Sequence, residues 1–268
     1  MGRKVLVLDI DGTLTNSKRE ITPATRQALI GIQQLGHIVV LASGRPTGGL
    51  RMITGQIGLD RLGGYMISYN GACVTNAATG EAVIRSALPR DAAAWMHAYA
   101  LRHDMGMCTY IGNDLLCGTR PDPYIDRETQ ANEFRFCRVN AFDAERDYYK
   151  ILLTAEPSKA IGHEEYLAQR FEGRMSIFRS EPFFIEVMAQ GVSKANAIAA
   201  LIKRIGVEQE DVIACGDGLN DLSMIRYAGV GVAMGNAQPE VKEAADTITL
   251  TNDEDGLIPV IRRYILEA

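Results

Sequence analysis

Two aspartates, Asp9 and Asp11, stand one residue apart directly after a run of aliphatic residues at 5–8. Four consecutive aliphatic residues predict a strand that is buried on both faces, as is typical of a parallel sheet. Side chains alternate in extended backbone, so we expect both carboxylates to project to the same side. Such carboxylates repel each other unless a cation or a shared proton relieves them. Because open α/β sheets bind ligands at the carboxyl ends of their strands, the pair predicts a metal-assisted reaction centre. The alternative is a turn that uses Asp and Gly for backbone reasons.

A second acidic segment, residues 216–221, follows another predicted strand at 212–215. It holds two acids, Asp217 and Asp221, and one amide, Asn220, in a glycine-rich loop. Hard oxygen ligands of this kind suit Mg²⁺, which takes one or two carboxylates, a phosphate oxygen and several waters. A purely structural loop has little reason to crowd two aspartates, so this segment predicts metal binding.

Two shorter features could hold a phosphate group. Ser43 and Gly44 follow the second predicted strand and offer a small hydroxyl and exposed backbone N–H groups. Lys194 stands near the start of a predicted helix, where it would neutralise a phosphate and hold Asp9 ionised. Each signal is weak alone, since Ser-Gly is common in loops and a lysine there is usually a surface charge. For Arg45 the sequence leaves open phosphate binding and simple solvation, and it favours solvation.

Strands and helices alternate at both ends of the chain. Strands are predicted at 5–8, 37–41, 65–68, 212–215 and 230–233, and helices at 23–36, 194–204 and 256–266. This order predicts an α/β fold with a doubly wound, Rossmann-like parallel sheet.

The rhythm changes in the middle of the chain. A hairpin is predicted at 74–84, helices at 92–102 and 159–170, and strands at 107–110, 115–118, 134–139, 149–154, 175–178 and 183–188. These short elements predict an inserted α+β domain with antiparallel strand pairs. We therefore expect a core formed by residues 1–84 and 191–268, and an insert at 85–190.

The composition limits the function classes. With 268 residues, the chain suits one large domain or two modest ones. A net charge of −5 argues against a generally basic surface for nucleic acid. No apolar run approaches the roughly 18 residues that span a bilayer, and the early first strand leaves no room for a signal peptide. Five cysteines without a CxxC pair favour reduced thiols in a cytoplasmic protein.

Taken together, four segments resemble the motifs of the haloacid dehalogenase superfamily, in order and over nearly the full length. They are residues 9–13, Ser43, Lys194 and residues 216–221. An insert of about a hundred residues between the second and third motifs resembles the type IIB α/β cap of Cof-type, sugar-phosphatase-like members. Residues 68–72 and 228–237 also resemble that subfamily.

The resemblance implies a Mg²⁺-dependent phosphatase that works through an aspartyl-phosphate. Asp9 would attack phosphorus as a carboxylate nucleophile. Asp11 would protonate the leaving alkoxide and then deprotonate the hydrolytic water. The metal would be held by Asp9, the carbonyl of Asp11 and Asp217, with Asp221 supporting it directly or through waters.

The phosphate would be held by Ser43, Gly44 and Lys194, with Asn220 at the edge of the site. A cap that closes over its ligand suits a small phosphorylated metabolite, sugar phosphates first, with flavin mononucleotide or pyridoxal phosphate as alternatives. The insert carries no recognisable specificity motif. Its polar residues Arg120, Asp122 and Arg179 are candidate ligand contacts, but a solvated surface is the favoured interpretation. The oligomeric state is not indicated.

Other functions remain as alternatives. A dehalogenase needs no proton donor, which would leave Asp11 unexplained. A sugar phosphomutase uses the same paired aspartates. A transport ATPase shares the 216–221 pattern but has lysine where Asp11 stands. A non-catalytic regulator that binds a phosphorylated ligand would be favoured by loss of Asp9, Asp11 or Lys194, and all three are present.

Overall fold

The protein is described by a computed structural model that covers residues 2–267. The strands are β1 Val5–Leu8, β2 Ile38–Ala42, β3 Tyr65–Ser68, β4 Cys73–Asn76, β5 Ala82–Arg85, β6 Gly106–Ile111, β7 Asp114–Cys117, β8 Arg135–Arg138, β9 Lys150–Thr154, β10 Met175–Glu181, β11 Phe184–Ala189, β12 Val212–Gly216, β13 Val230–Ala233 and β14 Thr247–Ile248. The helices are α1 Pro23–Gln34, α2 Thr47–Thr54, α3 Leu59–Leu62, α4 Ala92–Arg102, α5 Pro123–Ala131, α6 Pro157–Arg170, α7 Lys194–Ile205, α8 Leu222–Tyr227, α9 Pro239–Ala244 and α10 Leu257–Ile261, which continues as a π-helical segment, Arg262–Leu266. Within residues 2–267, no helix combines the length and apolar character needed to cross a membrane.

The chain forms two compact units. The core unit comprises the chain up to Arg85 together with the part from Ser193 onward. The inserted unit is Ser86–Val192.

The core unit is built on one eight-stranded sheet with the order β14-β13-β12-β1-β2-β3-β4-β5. The strands from β14 to β3 are parallel, and β4 and β5 extend the sheet as an antiparallel hairpin. All four residues of β1 and all five of β2 are buried, as expected for parallel strands covered on both faces. The predicted fold class, a doubly wound α/β sheet with an α+β insert, is confirmed.

Capping residues set where two helices of the core unit begin. Helix α1 starts at Pro23, the first residue of the predicted helix, and the Thr22 hydroxyl accepts a hydrogen bond from the amide of Thr25. Helix α7 starts at Lys194, and the Ser193 hydroxyl accepts from the amide of Asn196 at 3.1 Å. The cap at Ser193 therefore fixes the position from which the Lys194 side chain extends.

A glycine allows the β3–β4 loop to approach the start of α7. Gly71 has φ +115°, and a Cβ there would lie 2.2 Å from the carbonyl oxygen of Ser193. Only glycine combines this backbone conformation with this approach. The contact therefore ties the loop to the residue that precedes Lys194.

The inserted unit contains a six-stranded sheet with the order β10-β11-β9-β6-β7-β8. The expectation of antiparallel pairs is wrong for one of them, because β7 and β8 are parallel. Parallel neighbours need a crossover connection, and α5 supplies it.

Helix α5 is not predicted from the sequence. Ile125 is its one buried residue, so it shows no apolar repeat. Its start carries a readable signal, since Asp122 accepts from the amides of Tyr124 and Ile125, both at 2.9 Å. Asp122, a candidate ligand contact in the sequence, is thus a helix cap. A second such candidate, Arg179, is paired with Glu164.

The six-residue helices α8 and α9 are also not predicted from the sequence. Strand β2 lies one residue later than expected.

Substitution of Gly71 by Ala is expected to lower the free energy of unfolding by about 2 kcal/mol or more, because the new Cβ meets a backbone carbonyl. The matched control is Gly31→Ala within α1, where a Cβ would have no neighbour within 4 Å. The control substitution is expected to raise the free energy of unfolding by about 0.5–1 kcal/mol, because Ala has a higher helix propensity than Gly. Urea unfolding followed by circular dichroism measures both. Equal stability of the two variants would contradict the proposed contact.

Candidate active site

The acidic and polar residues singled out in the sequence follow neighbouring strands of the core sheet. Asp9 follows β1, Ser43 follows β2 and Asp217 follows β12, and β1 pairs with both of the other strands. Because these strands are parallel, their carboxyl ends meet at one edge of the sheet. The core topology therefore brings the first, second and fourth segments together.

The first acidic segment is a turn rather than extended backbone. Strand β1 ends at Leu8, and the amide of Leu14 returns to the carbonyl oxygen of Asp9 at 3.2 Å. The expectation that Asp9 and Asp11 project to the same side assumed extended backbone, and that assumption is wrong for this segment. Gly12 has φ +84°, and a Cβ there would lie 2.3 Å from Asp217 Oδ2. Glycine at this position lets the two acidic loops approach each other.

Lys194 lies between two aspartates. Its Nζ donates to Asp9 Oδ1 and to Asp221 Oδ1, both at 2.6 Å. The lysine is 1% exposed, Asp9 6% and Asp221 0%. Burial alone would lower the pKa of Lys194, but attraction to the two carboxylates outweighs burial and raises it. Lys194 is thus a buried cation rather than a surface charge.

Three carboxylates form a cluster around this lysine. One oxygen each of Asp9, Asp217 and Asp221 can be chosen so that all three lie within 4.8 Å of one another. Burial raises the pKa of Asp9 above its ordinary value although Lys194 opposes the rise, and the neighbouring acids add to it. Burial also raises the pKa of Asp217 to about 6, with the hydrogen bond from Thr13 opposing. The single ammonium group of Lys194 cannot balance three carboxylates, so the cluster carries excess negative charge. Its carboxylate oxygens are ligands that suit a hard divalent cation.

The oxygens of Asp221 are largely used by protein donors. Oδ1 accepts from Lys194, and Oδ2 accepts from the amides of Asp217 and Gly218, both at 3.0 Å. A carboxylate has about four acceptor sites, and three are filled. Asp221 therefore shapes the loop that carries Asp217.

Asp11 is paired with Arg45. Arg45 Nε donates to Asp11 Oδ2 at 2.8 Å, and Nη2 lies 2.5 Å from Oδ1. The Asp11 side chain is 51% exposed, in contrast to buried Asp9. The two aspartates have different counter-ions, and the favoured interpretation of Arg45 as simply solvated is wrong.

Ser43, Gly44 and Asn220 are brought together by Asn70. The amide of Asn70 donates to the carbonyl oxygen of Ser43 at 3.0 Å, and a Cβ at Gly44 would lie 3.0 Å from Asn70 Oδ1. Asn220 Nδ2 donates to that same Oδ1 at 3.4 Å. The hydroxyl oxygen of Ser43 accepts from the amide of Arg45 at 3.1 Å, which leaves its hydrogen available as a donor.

Two contributors escape the sequence reasoning. The Thr13 hydroxyl donates to Asp217 Oδ1 at 2.9 Å and links the two acidic loops. Asn70 is the second. Thr13 and Asn70 both lie in segments that resemble the superfamily, and that resemblance is the signal that could have identified them. It does not indicate which residues they contact.

Comparison with known proteins gives consistent results. The family model for haloacid dehalogenase-like hydrolases matches residues 6–261. The 5-amino-6-(5-phospho-D-ribitylamino)uracil phosphatase YcsE of Bacillus subtilis is 33% identical over 263 residues, covering 98% of this chain and 96% of that protein.

Solved structures extend the similarity to the fold. A haloacid dehalogenase-like hydrolase from Bacteroides thetaiotaomicron has a TM-score of 0.91 and 42% identity, covering 98% of this chain and 99% of that chain. The subclass IIB sugar phosphatase BT4131 has a TM-score of 0.78 and 26% identity, covering 97% of this chain and 98% of that chain. These findings confirm the superfamily and the phosphatase class that the four motifs predict. The chain belongs to the haloacid dehalogenase-like hydrolases.

Proposed function

We propose that this protein is a Mg²⁺-dependent phosphatase that hydrolyses small phosphate monoesters, sugar phosphates first, through an aspartyl-phosphate at Asp9. The observation that carries the proposal is the buried contact of Lys194 Nζ with Asp9 and Asp221 beside Asp217. This arrangement combines a held carboxylate, a fixed positive charge and a cation-binding donor set at the ligand-binding edge of the sheet.

Asp9 acts as the nucleophile. Its amide donates to the carbonyl oxygen of Cys215 at 3.0 Å, and Lys194 holds Oδ1, so backbone and side chain are both fixed. A bond forms between a carboxylate oxygen and phosphorus while the bond from phosphorus to the leaving oxygen breaks. Water then attacks phosphorus, releases inorganic phosphate and regenerates the carboxylate.

Asp11 moves the protons. Once the substrate has separated it from Arg45, Asp11 acts in its protonated form: it gives its proton to the leaving alkoxide, and the resulting carboxylate takes a proton back from the attacking water. The Asp11 side chain is half-exposed, so it can exchange protons with substrate and water more readily than the buried side chain of Asp9 can. The ion pair with Arg45 holds the Asp11 side chain until the substrate enters.

Asp9, the carbonyl of Asp11 and Asp217 would hold Mg²⁺, and Asp221 would support them mainly through the loop amides. When bound, the cation offsets negative charge on the transferring phosphoryl group. Lys194 supplies a second positive charge from the protein itself. The Ser43 hydroxyl, the backbone at Gly44 and Asn220 would bind the phosphate oxygens.

The substrate class is supported by the relatives. One relative is a phosphatase of a phosphorylated ribitylaminouracil, and one relative of known structure is a sugar phosphatase. The net charge of −5 favours a small ligand over a polyanion such as nucleic acid. We assign the inserted unit, Ser86–Val192, the role of the substrate-selecting cap. Five cysteines without a CxxC pair support a cytoplasmic location.

Incubation with a panel of phosphorylated metabolites tests the proposal. We expect Mg²⁺-dependent release of inorganic phosphate, abolished by EDTA and restored by Mg²⁺. Ca²⁺ is expected to inhibit, because its longer bonds and looser coordination misplace the nucleophile. Full activity after exhaustive chelation would contradict the metal assignment. A phosphopeptide as best substrate would contradict the substrate class, and a sugar-phosphate isomer in place of free phosphate would identify a mutase.

Substitution of Asp11 by Asn is expected to affect substrates according to their leaving group. A sugar alkoxide needs a proton to leave, so its single-turnover phosphoryl transfer should slow by roughly 10²–10⁴-fold. Para-nitrophenolate leaves without a proton, so its transfer should slow much less. Rapid-quench measurement compares the two, with the exposed Asp60→Asn variant as control. Equal losses for both substrates would point to a positional role for Asp11.

A further inference from the structure

The turn that follows Asp11 is held by two asparagines from the far end of the chain. Asn236 Nδ2 donates to the carbonyl oxygen of Gly12 at 2.8 Å, and Asn252 Nδ2 donates to the carbonyl oxygen of Thr15 at 2.8 Å. The asparagines are joined to each other, because Asn236 Oδ1 accepts from the amide of Asn252 at 3.0 Å. Asn236 thus uses both ends of its side-chain amide.

The segment that carries Asn236 also holds the second acidic loop. The amide of Met234 donates to the carbonyl oxygen of Gly216, and the amide of Gln238 donates to that of Asp217, both at 3.0 Å. Residues 234–238 therefore bind both acidic loops at once, one through a side chain and the other through the backbone. The loops touch directly where Gly12 meets Asp217.

We propose that Asn236 is a positioning residue that sets the separation between the carboxylates of Asp9 and Asp217. It acts through the carbonyl of Gly12, whose peptide neighbour Asp11 supplies the carbonyl assigned to the metal. The inference rests on the proposed function, because it concerns the cation site of that function. Mg²⁺ demands near-octahedral geometry at about 2.0–2.1 Å, so a small shift of one loop against the other weakens its binding.

The chemistry of the side chain makes this role specific. An amide that donates to one loop while accepting from Asn252 links the two segments, and neither Ala nor Leu can do so. Asn236 is exposed, so its substitution opens no cavity in the core. The loss of one exposed hydrogen bond is expected to change stability only modestly.

The test compares Asn236→Ala and Asn236→Leu with Gln209→Ala. Gln209 Nε2 also donates to a backbone carbonyl of the core unit, that of Tyr227, but lies outside the two acidic loops. Mn²⁺ affinity is measured by electron paramagnetic resonance without substrate, and kcat and KM are measured with the best substrate. Leu matches Asn in size, so it provides a second variant should Ala disturb the local fold.

Both Asn236 variants are expected to bind Mn²⁺ about tenfold or more weakly and to lose about 10–100-fold in kcat, with KM changed far less. Their melting temperatures should match that of Gln209→Ala to within a few degrees, about 2–4 °C corresponding to 1 kcal/mol. A merely structural role would move the melting temperature without weakening Mn²⁺ binding.

Failure of the inference and failure of the proposed function give different results. If the wild type is an active phosphatase and the Asn236 variants bind Mn²⁺ and turn over like Gln209→Ala, the inference is wrong and the function stands. If the wild type binds Mn²⁺ but hydrolyses no phosphate ester, the function is wrong and the Mn²⁺ affinities alone decide the inference. A wild type that binds no Mn²⁺ overturns both.

Discussion

One buried ammonium group joins the parts of the chain that make the acidic cluster. Lys194 Nζ contacts Asp9 after β1 and Asp221 after β12, while the lysine itself begins α7. A lysine that is 1% exposed is tolerated because both carboxylates compensate its loss of water. The cap of α7 at Ser193 and the close approach of Gly71 both place this amine. The geometry of the site therefore depends on where one helix begins.

The charge balance around Lys194 accounts for the chemistry we propose. Burial, together with repulsion among the three carboxylates, raises the pKa of Asp9 and of Asp217, although the charge of Lys194 opposes both rises. A divalent cation relieves that repulsion and favours the ionised form that a nucleophile needs. Asp11 stands apart with its own counter-ion, Arg45. The two aspartates need different environments, because one is to act as the nucleophile and the other as the acid–base group.

The sequence predicted those features that local patterns encode. Aliphatic runs predicted the parallel strands, and the helix predicted from residue 23 begins there, at Pro23. Helix α5 was missed because it buries only Ile125, and the parallel pairing of its flanking strands was missed with it.

Contacts between distant segments could not be predicted in this way. The pairing of Asp11 with Arg45 spans 34 positions, and the hydrogen bond from Asn236 to Gly12 spans 224. No periodicity or spacing encodes such pairs, so superfamily resemblance identified the segments but not their partners. The Asp9–Asp11 turn was misjudged for a different reason: the strand was predicted to end at Leu8, as it does, but extended backbone was assumed to continue beyond that end.

Chemical trapping of the covalent intermediate tests the central claim most directly. The enzyme is mixed with Mg²⁺ and its best substrate, quenched in acid and reduced with borohydride, and the peptide containing Asp9 is analysed by mass spectrometry. Borohydride converts an aspartyl-phosphate to homoserine, so the account predicts homoserine at position 9, absent without substrate and absent in Asp9→Asn. Turnover without any modified Asp9, or modification at another residue, would contradict it.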